Sequence, residues 1–266
     1  MSVPLIVCGA AGRMGREIIR ILADYPQFSF AAAVEAPGHE LLGADAGSIA
    51  GLQPLGVPLV ENLEGVISSD ATIIDFSQPE ASLRNMHAAV AQGASIVVGT
   101  TGFSPEQQHQ LYELARQTRA FIAANMSVGV ALLTKLAELA ATILSADFDV
   151  EIVEMHHRNK VDAPSGTALA LARAVAAVRN VSSTEFRFGR EGRVGPRPEN
   201  EIGILALRGG DVVGDHTVVF AGKGERLELV HRASSRETFA RGALRAALWL
   251  REQPPGCYTM RDMLGL

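Results

Sequence analysis

Two neighbouring histidines, a lysine and a Ser-Gly-Thr triplet fall within residues 156–167. His156 can exchange a proton near neutral pH, and Lys160 adds a positive charge close by. Ser165 is a favoured N-cap residue and predicts a helix start, where free N–H groups bind anions such as carboxylates. Together these residues indicate a site that binds a carboxylic acid and donates a proton to another group of the same molecule. The alternative is a capped helix after an ordinary basic loop, and local chemistry alone does not decide between the two.

The segments on either side of this run predict how its side chains point. Residues 149–155 alternate as a strand does, and residues 168–178 have the pattern of a helix. Side chains on a strand alternate between its faces, so Glu154 and His156 share one face and His157 points to the other. Glu154 is therefore a candidate to hold the His156 imidazole in one tautomer. Because the histidines point apart and the chain has no HExxH motif or cysteine set, no metal site is expected.

The glycine-rich run of residues 9–15 also indicates chemistry. It follows a buried apolar strand over residues 3–8 and opens a helix, and a second strand over 28–34 ends at Glu35. Such glycines allow a tight turn and close approach to a pyrophosphate on the helix N-terminus, and the acid accepts from a ribose hydroxyl. This order predicts a dinucleotide site. The spacing is GxxGxxG rather than GxGxxG, and the alternative is a βαβ unit whose glycines serve packing.

The residue after Glu35 bears on the choice of cofactor. Ala36 stands where an enzyme that prefers NADP usually has an arginine for the 2′-phosphate. We therefore expect NADH to be preferred, with NADPH possible. Arg13, or another basic group folding over the site, would change that preference.

The rest of the first half alternates strands with helices. Three further apolar strands are predicted over residues 71–76, 95–99 and 121–124, with helices over 79–92 and after Ser104. This alternation predicts a doubly wound parallel sheet, whose ligands bind at the carboxyl ends of the strands. Two segments at such ends are placed near the nicotinamide half of the cofactor, or are only small-residue turns: 99–101 and 123–126.

The second half follows a different pattern. After an apolar helix over residues 130–144, strands alternate over 201–207, 215–221 and 225–231. Alternation predicts a sheet with one covered face, the other being solvated or paired with another subunit. A last helix, ending at Leu250, is expected to return to the first domain.

Composition narrows the class of protein. A net charge of -5 does not suggest a nucleic-acid binder. The two cysteines, Cys8 and Cys257, lie far apart in sequence and indicate no disulfide framework, as in a reducing cytoplasm. No apolar run approaches the ~20 residues that span a bilayer, and the start carries no signal pattern. A cytoplasmic enzyme is expected, with no nucleic-acid or membrane partner.

Neither the carboxylate pair of a glycosidase nor the GxSxG elbow of a serine hydrolase is evident.

The E-x-H-H-x-x-K-x-D-x-P-S-G-T run at 154–167 closely resembles the signature of the bacterial 4-hydroxy-tetrahydrodipicolinate reductases, also called dihydrodipicolinate reductases. The resemblance covers nearly the whole chain. It implies an α/β fold with an N-terminal Rossmann-type dinucleotide-binding domain, residues 1–127 and 237–266. It also implies an α+β substrate-binding and oligomerisation domain with an open mixed sheet, residues 128–236. The chain is similar to tetrameric enzymes whose substrate-domain sheets associate, so the resemblance also implies a homotetramer. Further matching runs lie at 9–15, 99–103, 125–129, 233–236, 247–250 and 260–262.

The resemblance also implies a reaction and residue roles. A cyclic unsaturated dicarboxylic acid would be reduced to tetrahydrodipicolinate in the diaminopimelate and lysine pathway, with hydride from the nicotinamide. His156 would donate the proton and Lys160 would assist. The substrate would be bound by His157, Ser165, Gly166 and Thr167. The cofactor would be bound by Gly9, Ala10, Ala11, Gly12, Arg13, Met14, Glu35, Gly99, Thr100, Thr101, Ala123, Ala124, Asn125 and Met126.

Two positions depart from some members of that family. Ala36 replaces an arginine that serves NADPH, and Met126 stands where several relatives have phenylalanine. Two other functions remain open. A related amino-acid dehydrogenase would share the cofactor half but would not need the His-His…Lys…Ser-Gly-Thr run. A dinucleotide-dependent sensor would not need the proton donor.

Overall fold

The computed structural model describes residues 2–144 and 146–266, which form two compact units. Unit 1 comprises the chain up to Met126 together with Arg236–Gly265. Unit 2 comprises Ser127–Ser235 together with Leu266.

Unit 1 contains a parallel sheet of seven strands with helices around it. In chain-order numbering the strands are β1 (Val3–Cys8), β2 (Phe28–Val34), β3 (Leu59–Val60), β4 (Thr72–Asp75), β5 (Ser95–Val98), β6 (Arg119–Ile122) and β12 (Gly256–Tyr258). They lie in the order β12-β6-β5-β4-β1-β2-β3. The helices are α1 (Arg13–Ile21), α2 (Ala46–Ile49), α3 (Pro79–Gln92), α4 (Pro105–Ala115), α7 (Glu237–Leu250) and α8 (Met260–Leu264).

The sheet of unit 1 is buried because its strands are short, continuous apolar runs that helices cover. Helix α1 contacts α7, and α3 contacts α4, so the helices form two pairs on the sheet. Ile6, Ile73 and Ile96 lie in one core cluster with Met86 of α3 and Leu111 of α4. This is the doubly wound arrangement that the alternating sequence predicts.

All parallel strands of unit 1 end at the same edge of the sheet, which brings together residues far apart in sequence. Gly9 follows β1, Glu35 follows β2, Gly99 follows β5 and Ala123 follows β6. The prediction for β6 was wrong by two residues, since the strand spans Arg119–Ile122 and not 121–124. Ala123 and Ala124 therefore lie after the strand, beyond its carboxyl end.

Unit 2 is a mixed sheet of five strands with two helices. Its strands are β7 (Asp149–His156), β8 (Phe186–Phe188), β9 (Ile202–Arg208), β10 (Gly214–Ala221) and β11 (Arg226–Ala233), and its helices are α5 (Val128–Ile143) and α6 (Gly166–Arg179). The strand order is β11-β10-β7-β9-β8. Strand β7 runs parallel to β9 and antiparallel to β10, so two strands distant in sequence flank it. The mixed second sheet confirms the predicted fold class.

The two faces of the second sheet differ in what they contact. On one face Ile152 and Val218 pack with Leu171 of α6 and Leu133 of α5 in the core of unit 2. Glu154 and His156 continue along β7 on this same buried face. The opposite face carries partly or fully exposed apolar side chains: Val153, Met155, Leu205, Leu207, Val219 and Val230.

Candidate active site

The glycine turn after β1 has the geometry that a dinucleotide-binding turn needs. Gly9 has a φ of +74°, and a Cβ on it would lie 2.4 Å from the Phe76 carbonyl oxygen. A Cβ on Gly15 would lie 2.2 Å from the Gly9 carbonyl oxygen, so this glycine lets α1 pack directly onto the turn. Gly12 is the N-cap of α1 and provides no side-chain cap. Gly9 thus forms a tight turn, as the sequence predicts, and Gly15 serves close packing, which was the alternative role; the approach of a pyrophosphate stays a prediction.

Glu35 is fixed beside this turn by two backbone hydrogen bonds. Ala11 N–H donates to Oε2 and Ala36 N–H donates to Oε1, each at 2.9 Å. A carboxylate has about four lone-pair sites, so both oxygens can still accept from hydroxyl groups. The predicted acid therefore lies directly at the glycine turn.

A cavity of about 580 Å³ opens at this edge of unit 1. Its lining includes Gly9, Gly12, Glu35 and Ala36, which links the glycine turn to the acid. Arg84 of α3 is the basic side chain among the described residues that line it. The residue after Glu35, Ala36, is uncharged, and the positive charge at the cavity comes from Arg84 instead.

The Thr100 hydroxyl belongs to a buried polar network that the sequence did not predict. It accepts from Ser82 Oγ at 2.7 Å and from Ser77 N–H at 3.0 Å. Asp75, at the end of β4, accepts from Ser77 N–H at 2.9 Å and from Asn85 Nδ2 at 3.2 Å. Burial raises the pKa of Asp75. An acid at the end of an otherwise apolar strand was the available signal, and this network fixes the loop that contains Thr100.

The other predicted cofactor residues lie at the same edge of unit 1, in different environments. Gly99 admits the Phe76 ring, because a Cβ there would lie 2.1 Å from a ring carbon. Met126 is buried, and Gly242 of α7 lies against its carbonyl group. Ala10 is also buried. The remaining predicted residues are partly or fully exposed: Ala11, Arg13, Met14, Thr101, Ala123, Ala124 and Asn125.

Glu154 is the centre of the site in unit 2. Its side chain is fully buried, and His156 Nδ1 lies 2.6 Å from Oε2. Arg208 of β9 donates to both carboxylate oxygens at 2.8 and 2.9 Å, and Ser165 N–H donates to Oε1 at 2.9 Å. Burial alone would raise the pKa of Glu154, but the bonds from Arg208 and His156 hold it below its usual value. Glu154 is therefore an ionised carboxylate whose four acceptor positions are occupied.

Ser165 links this carboxylate to the start of α6. Its Oγ accepts from Ala168 N–H at 3.1 Å, which makes it the N-cap as the sequence predicted. Gly166 and Thr167 are the first two residues of the helix, and the space that a Gly166 side chain would enter is open. Ser165 Oγ also lies 3.1 Å from Nε2 of His216 on β10.

Lys160 lies in the turn between β7 and α6. Its N–H donates to the His157 carbonyl oxygen at 3.1 Å, and its Nζ pairs with Asp162 at 2.8 Å. Arg208, which binds Glu154, also donates to the Asp162 carbonyl oxygen, so the segment that contains Lys160 lies beside the Glu154 network. Glu154 brings His156 and the α6 start together, and a contact of Lys160 with them stays a prediction.

Arg208 and His216 are the site residues that sequence reasoning missed. Both come from strands distant in sequence from β7, and only the register of the sheet brings them to Glu154. The signal for His216 was its phase, because it alternates with the buried Val218 and Phe220 on β10. No comparable signal identified Arg208.

The described residues were also searched for a metal-binding cluster and for a membrane-spanning helix. Within residues 2–144 and 146–266, no group of three or more His, Cys, Asp or Glu residues is arranged to hold a metal ion. The helices described in the structure include none that is long and apolar enough to cross a membrane.

Family models match almost the entire chain. One described as "Dihydrodipicolinate reductase, N-terminus" matches residues 3–126, and one described as "Dihydrodipicolinate reductase, C-terminus" matches residues 129–264. The chain belongs to the dihydrodipicolinate reductase family. The resemblance drawn from the 154–167 run is confirmed.

Individual members of the dihydrodipicolinate reductase family are similar over their full length. The 4-hydroxy-tetrahydrodipicolinate reductase of Anaeromyxobacter dehalogenans is 48% identical over 98% of this chain and 97% of its own. That of Magnetococcus marinus is 49% identical over 100% and 99%. The solved structure of dipicolinate-bound dihydrodipicolinate reductase from Paenisporosarcina sp. TG-14 has a TM-score of 0.77 and 27% identity, covering 98% of this chain and 99% of that chain. An amine dehydrogenase from Mycobacterium smegmatis, with a TM-score of 0.60 at 14% identity, shares the fold.

Proposed function

We propose that the chain reduces 4-hydroxy-tetrahydrodipicolinate to tetrahydrodipicolinate with NADH or NADPH, in diaminopimelate and lysine biosynthesis. The single observation that carries this proposal is the buried Glu154–His156 pair at 2.6 Å beside the start of α6. The pair supplies a proton carrier, and the helix start supplies an anion site. The reductase names of the full-length relatives identify the acid.

The residues of unit 1 fit a dinucleotide. The cavity beside Gly9 and Gly12 lets a pyrophosphate approach the backbone at the N-terminus of α1, and Glu35 is placed to accept from a ribose hydroxyl. Gly99–Thr101 and Ala123–Met126 line the nicotinamide end in this proposal. When bound, the reduced nicotinamide supplies the hydride.

The proton comes from Nε2 of His156. An ionised carboxylate only accepts hydrogen bonds, so Nδ1 carries the hydrogen that points to Glu154. The exchangeable proton is then on Nε2, and the charge that the ring carries when protonated is balanced by Glu154. A Cβ on Gly214 would lie 3.0 Å from Nε2, so the glycine leaves space beside the donating atom.

The substrate carboxylates bind at the start of α6. Ser165, Gly166 and Thr167 begin the helix, where backbone N–H groups and the helix dipole favour an anion. Lys160 adds a cation that assists proton transfer, and His157 binds the second carboxylate. Because Lys160 pairs with Asp162, the substrate must compete with that carboxylate for the ammonium group.

NADH is the preferred cofactor in this proposal. The Glu35 carboxylate repels a 2′-phosphate, and its neighbour Ala36 provides no cation to offset the repulsion. The cofactor preference is tested by the ratio of kcat/KM for NADH to kcat/KM for NADPH. An Ala36→Arg variant is expected to shift that ratio towards NADPH. A wild-type preference for NADPH would contradict the argument and would make Arg84 the cation to substitute.

Assembly into a homotetramer belongs to the same proposal. The apolar face of the second sheet, which includes Leu207 and Val230, is a surface for joining copies of the chain. Unit 2 would then serve both substrate binding and oligomerisation, while unit 1 binds the dinucleotide. A cytoplasmic location stays a prediction.

The deciding experiment follows the loss of reduced-nicotinamide absorbance with freshly generated 4-hydroxy-tetrahydrodipicolinate. Turnover with either cofactor supports the reaction. No turnover from folded protein that still binds NADH would overturn the proposal and favour the amino-acid dehydrogenase alternative.

A further inference from the structure

His216 occupies an unusual position for a polar residue. It lies on β10 directly opposite Glu154 and is 3% exposed. Its ring packs edge-on against that of His156, with centroids 5.2 Å apart and an interplanar angle of 76°. Its Nε2 lies 3.1 Å from Ser165 Oγ, and its Nδ1 is buried with no partner among the described residues. The ring therefore has one polar contact, and that contact is with the α6 cap.

The environment keeps this imidazole uncharged. Burial, followed by the neighbouring charge of His156, lowers the pKa of His216 to about 4. A neutral ring can make the bond to Ser165 Oγ in either tautomer. A second positive charge beside His156 would oppose protonation of the proton donor, so a neutral partner suits this place.

The bond to His216 completes a three-point attachment of Ser165. The Ser165 N–H is held by Glu154, its Oγ caps the helix at Ala168, and the same Oγ meets His216. Ser165 immediately precedes Gly166 and Thr167. A shift of Ser165 would therefore move the N–H groups that bind the substrate carboxylate.

We propose that His216 is a positioning residue for the substrate dicarboxylate, acting through Ser165 on the first turn of α6. This inference rests on the proposed function of the α6 start. His216 need not touch the substrate. It fixes the direction in which the Gly166 and Thr167 N–H groups point.

A purely structural role explains the residue less well. Val218 and Phe220 fill the next two positions of this face with apolar side chains. An unpartnered buried nitrogen is costly, so an apolar side chain at position 216 would be more stable if packing were its only task. The bond to Ser165 is the gain that offsets this cost.

The test compares His216→Leu with His216→Gln. Leucine removes the bond to Ser165, while the glutamine amide can replace Nε2. We expect His216→Leu to weaken binding of dipicolinate, measured by calorimetry on the NADH-saturated protein, by roughly five- to tenfold, the effect of one lost hydrogen bond. The KM of the substrate should rise similarly, while the KM of NADH stays unchanged and kcat falls less. His216→Gln should recover most of the dipicolinate affinity.

Ser165→Ala makes the test independent of how well His216→Leu folds. It should weaken dipicolinate binding by itself, and adding His216→Leu should then have little further effect, since the two residues act through one bond. If His216→Leu does not fold, the test rests on His216→Gln. A dipicolinate affinity of His216→Gln that is as low as that of Ser165→Ala would then overturn the proposal.

The failures of the two proposals are distinguishable. If wild type turns over but His216→Leu keeps full dipicolinate affinity and substrate KM, the positioning role is wrong and the reaction stands. Equal losses in the KM of NADH and of the substrate would also overturn it. Absence of wild-type turnover and of dipicolinate binding would overturn both.

Discussion

The hydrogen bond between Glu154 and His156 determines which nitrogen of the ring can act. With Nδ1 directed to the carboxylate, only Nε2 is available to a substrate. Replacing His156 by Gln removes the exchangeable proton but keeps a side chain of similar reach. A positioned general acid contributes about 10²- to 10⁴-fold, so His156→Gln should lower kcat by ~10²-fold or more.

The controls for His156→Gln separate proton transfer from folding. NADH affinity, measured by fluorescence titration, should survive the substitution. His109→Gln, on the exposed surface of α4, should leave kcat unchanged. A His156→Gln variant with wild-type kcat would remove His156 from the mechanism.

His216 should make stability depend on pH in a defined window. Its pKa is lowered in the folded state from 6.5 to about 4, mainly by burial and then by His156, with Glu154 opposing and His231 and Lys160 adding smaller effects. Between these values the unfolded chain binds a proton that the folded chain does not, so stability falls as the pH falls from 6.5 to 4. The full loss is on the order of 3 kcal/mol.

The measurement is the free energy of unfolding in urea at several pH values, for wild type and His216→Gln. Carboxylates contribute to both proteins, so the difference between them isolates the imidazole. The wild-type advantage should increase as the pH rises from 4 to 6.5. Parallel curves across this window would show that His216 does not titrate as stated.

The site could be predicted at the residue level only where its members are close in sequence. Alternation along one strand placed Glu154 beside His156, and cap chemistry placed Ser165 at the helix start. Arg208 and His216 could not be assigned to Glu154, because that contact depends on the pairing of β9 and β10 with β7. Strand pairing is a property of the whole sheet and leaves little trace in a local pattern.

At the scale of elements, the contact between α1 and the turn after β1 supports the proposed cofactor site. Gly15→Ala would place a methyl group 2.2 Å from the Gly9 carbonyl oxygen, so the helix or the turn must move. Forced overpacking of this kind costs ~1–3 kcal/mol. We expect weaker NADH binding together with lower stability, because the same turn is proposed to approach the pyrophosphate.

Gly256→Ala in β12 is the matched control for Gly15→Ala. Its Cβ would lie 3.3 Å from the Tyr258 hydroxyl oxygen, away from the glycine turn. NADH titration should give this variant a dissociation constant near that of wild type. Gly15→Ala with unchanged NADH affinity would show that the turn accommodates the methyl group.

Helices and strands with strong local signals were predicted closely. Strands β1 and β2 and helix α3 have the predicted bounds, and α4 begins directly after Ser104 as predicted, with a capping box between Ser104 and Gln107. Short strands were the weak point. β3 and β12 have two and three residues and form only because β2 and β6 offer neighbouring edges, which a local sequence pattern cannot reveal.

At the scale of the whole molecule, the second sheet has an apolar face that a single chain leaves exposed. A sheet buried on one face should alternate apolar and polar residues. Here the other face also carries apolar side chains, among them Leu207 at 50% and Val230 at 47% exposure. Polar residues would be expected on this face if it met only water, so its composition favours contact with further copies.

The Leu207→Asp variant tests whether copies of the chain associate through this apolar face. A carboxylate on the apolar face should prevent close association, since burying an unpaired charge is costly. Light scattering after gel filtration should then give a mass below the tetramer that we expect for wild type. Leu132→Asp on α5 is the matched control, because Leu132 is an aliphatic residue of similar exposure, 47%, away from this face. If Leu132→Asp dissociates the protein and Leu207→Asp does not, the copies associate through the helices and the apolar face of the sheet requires another explanation.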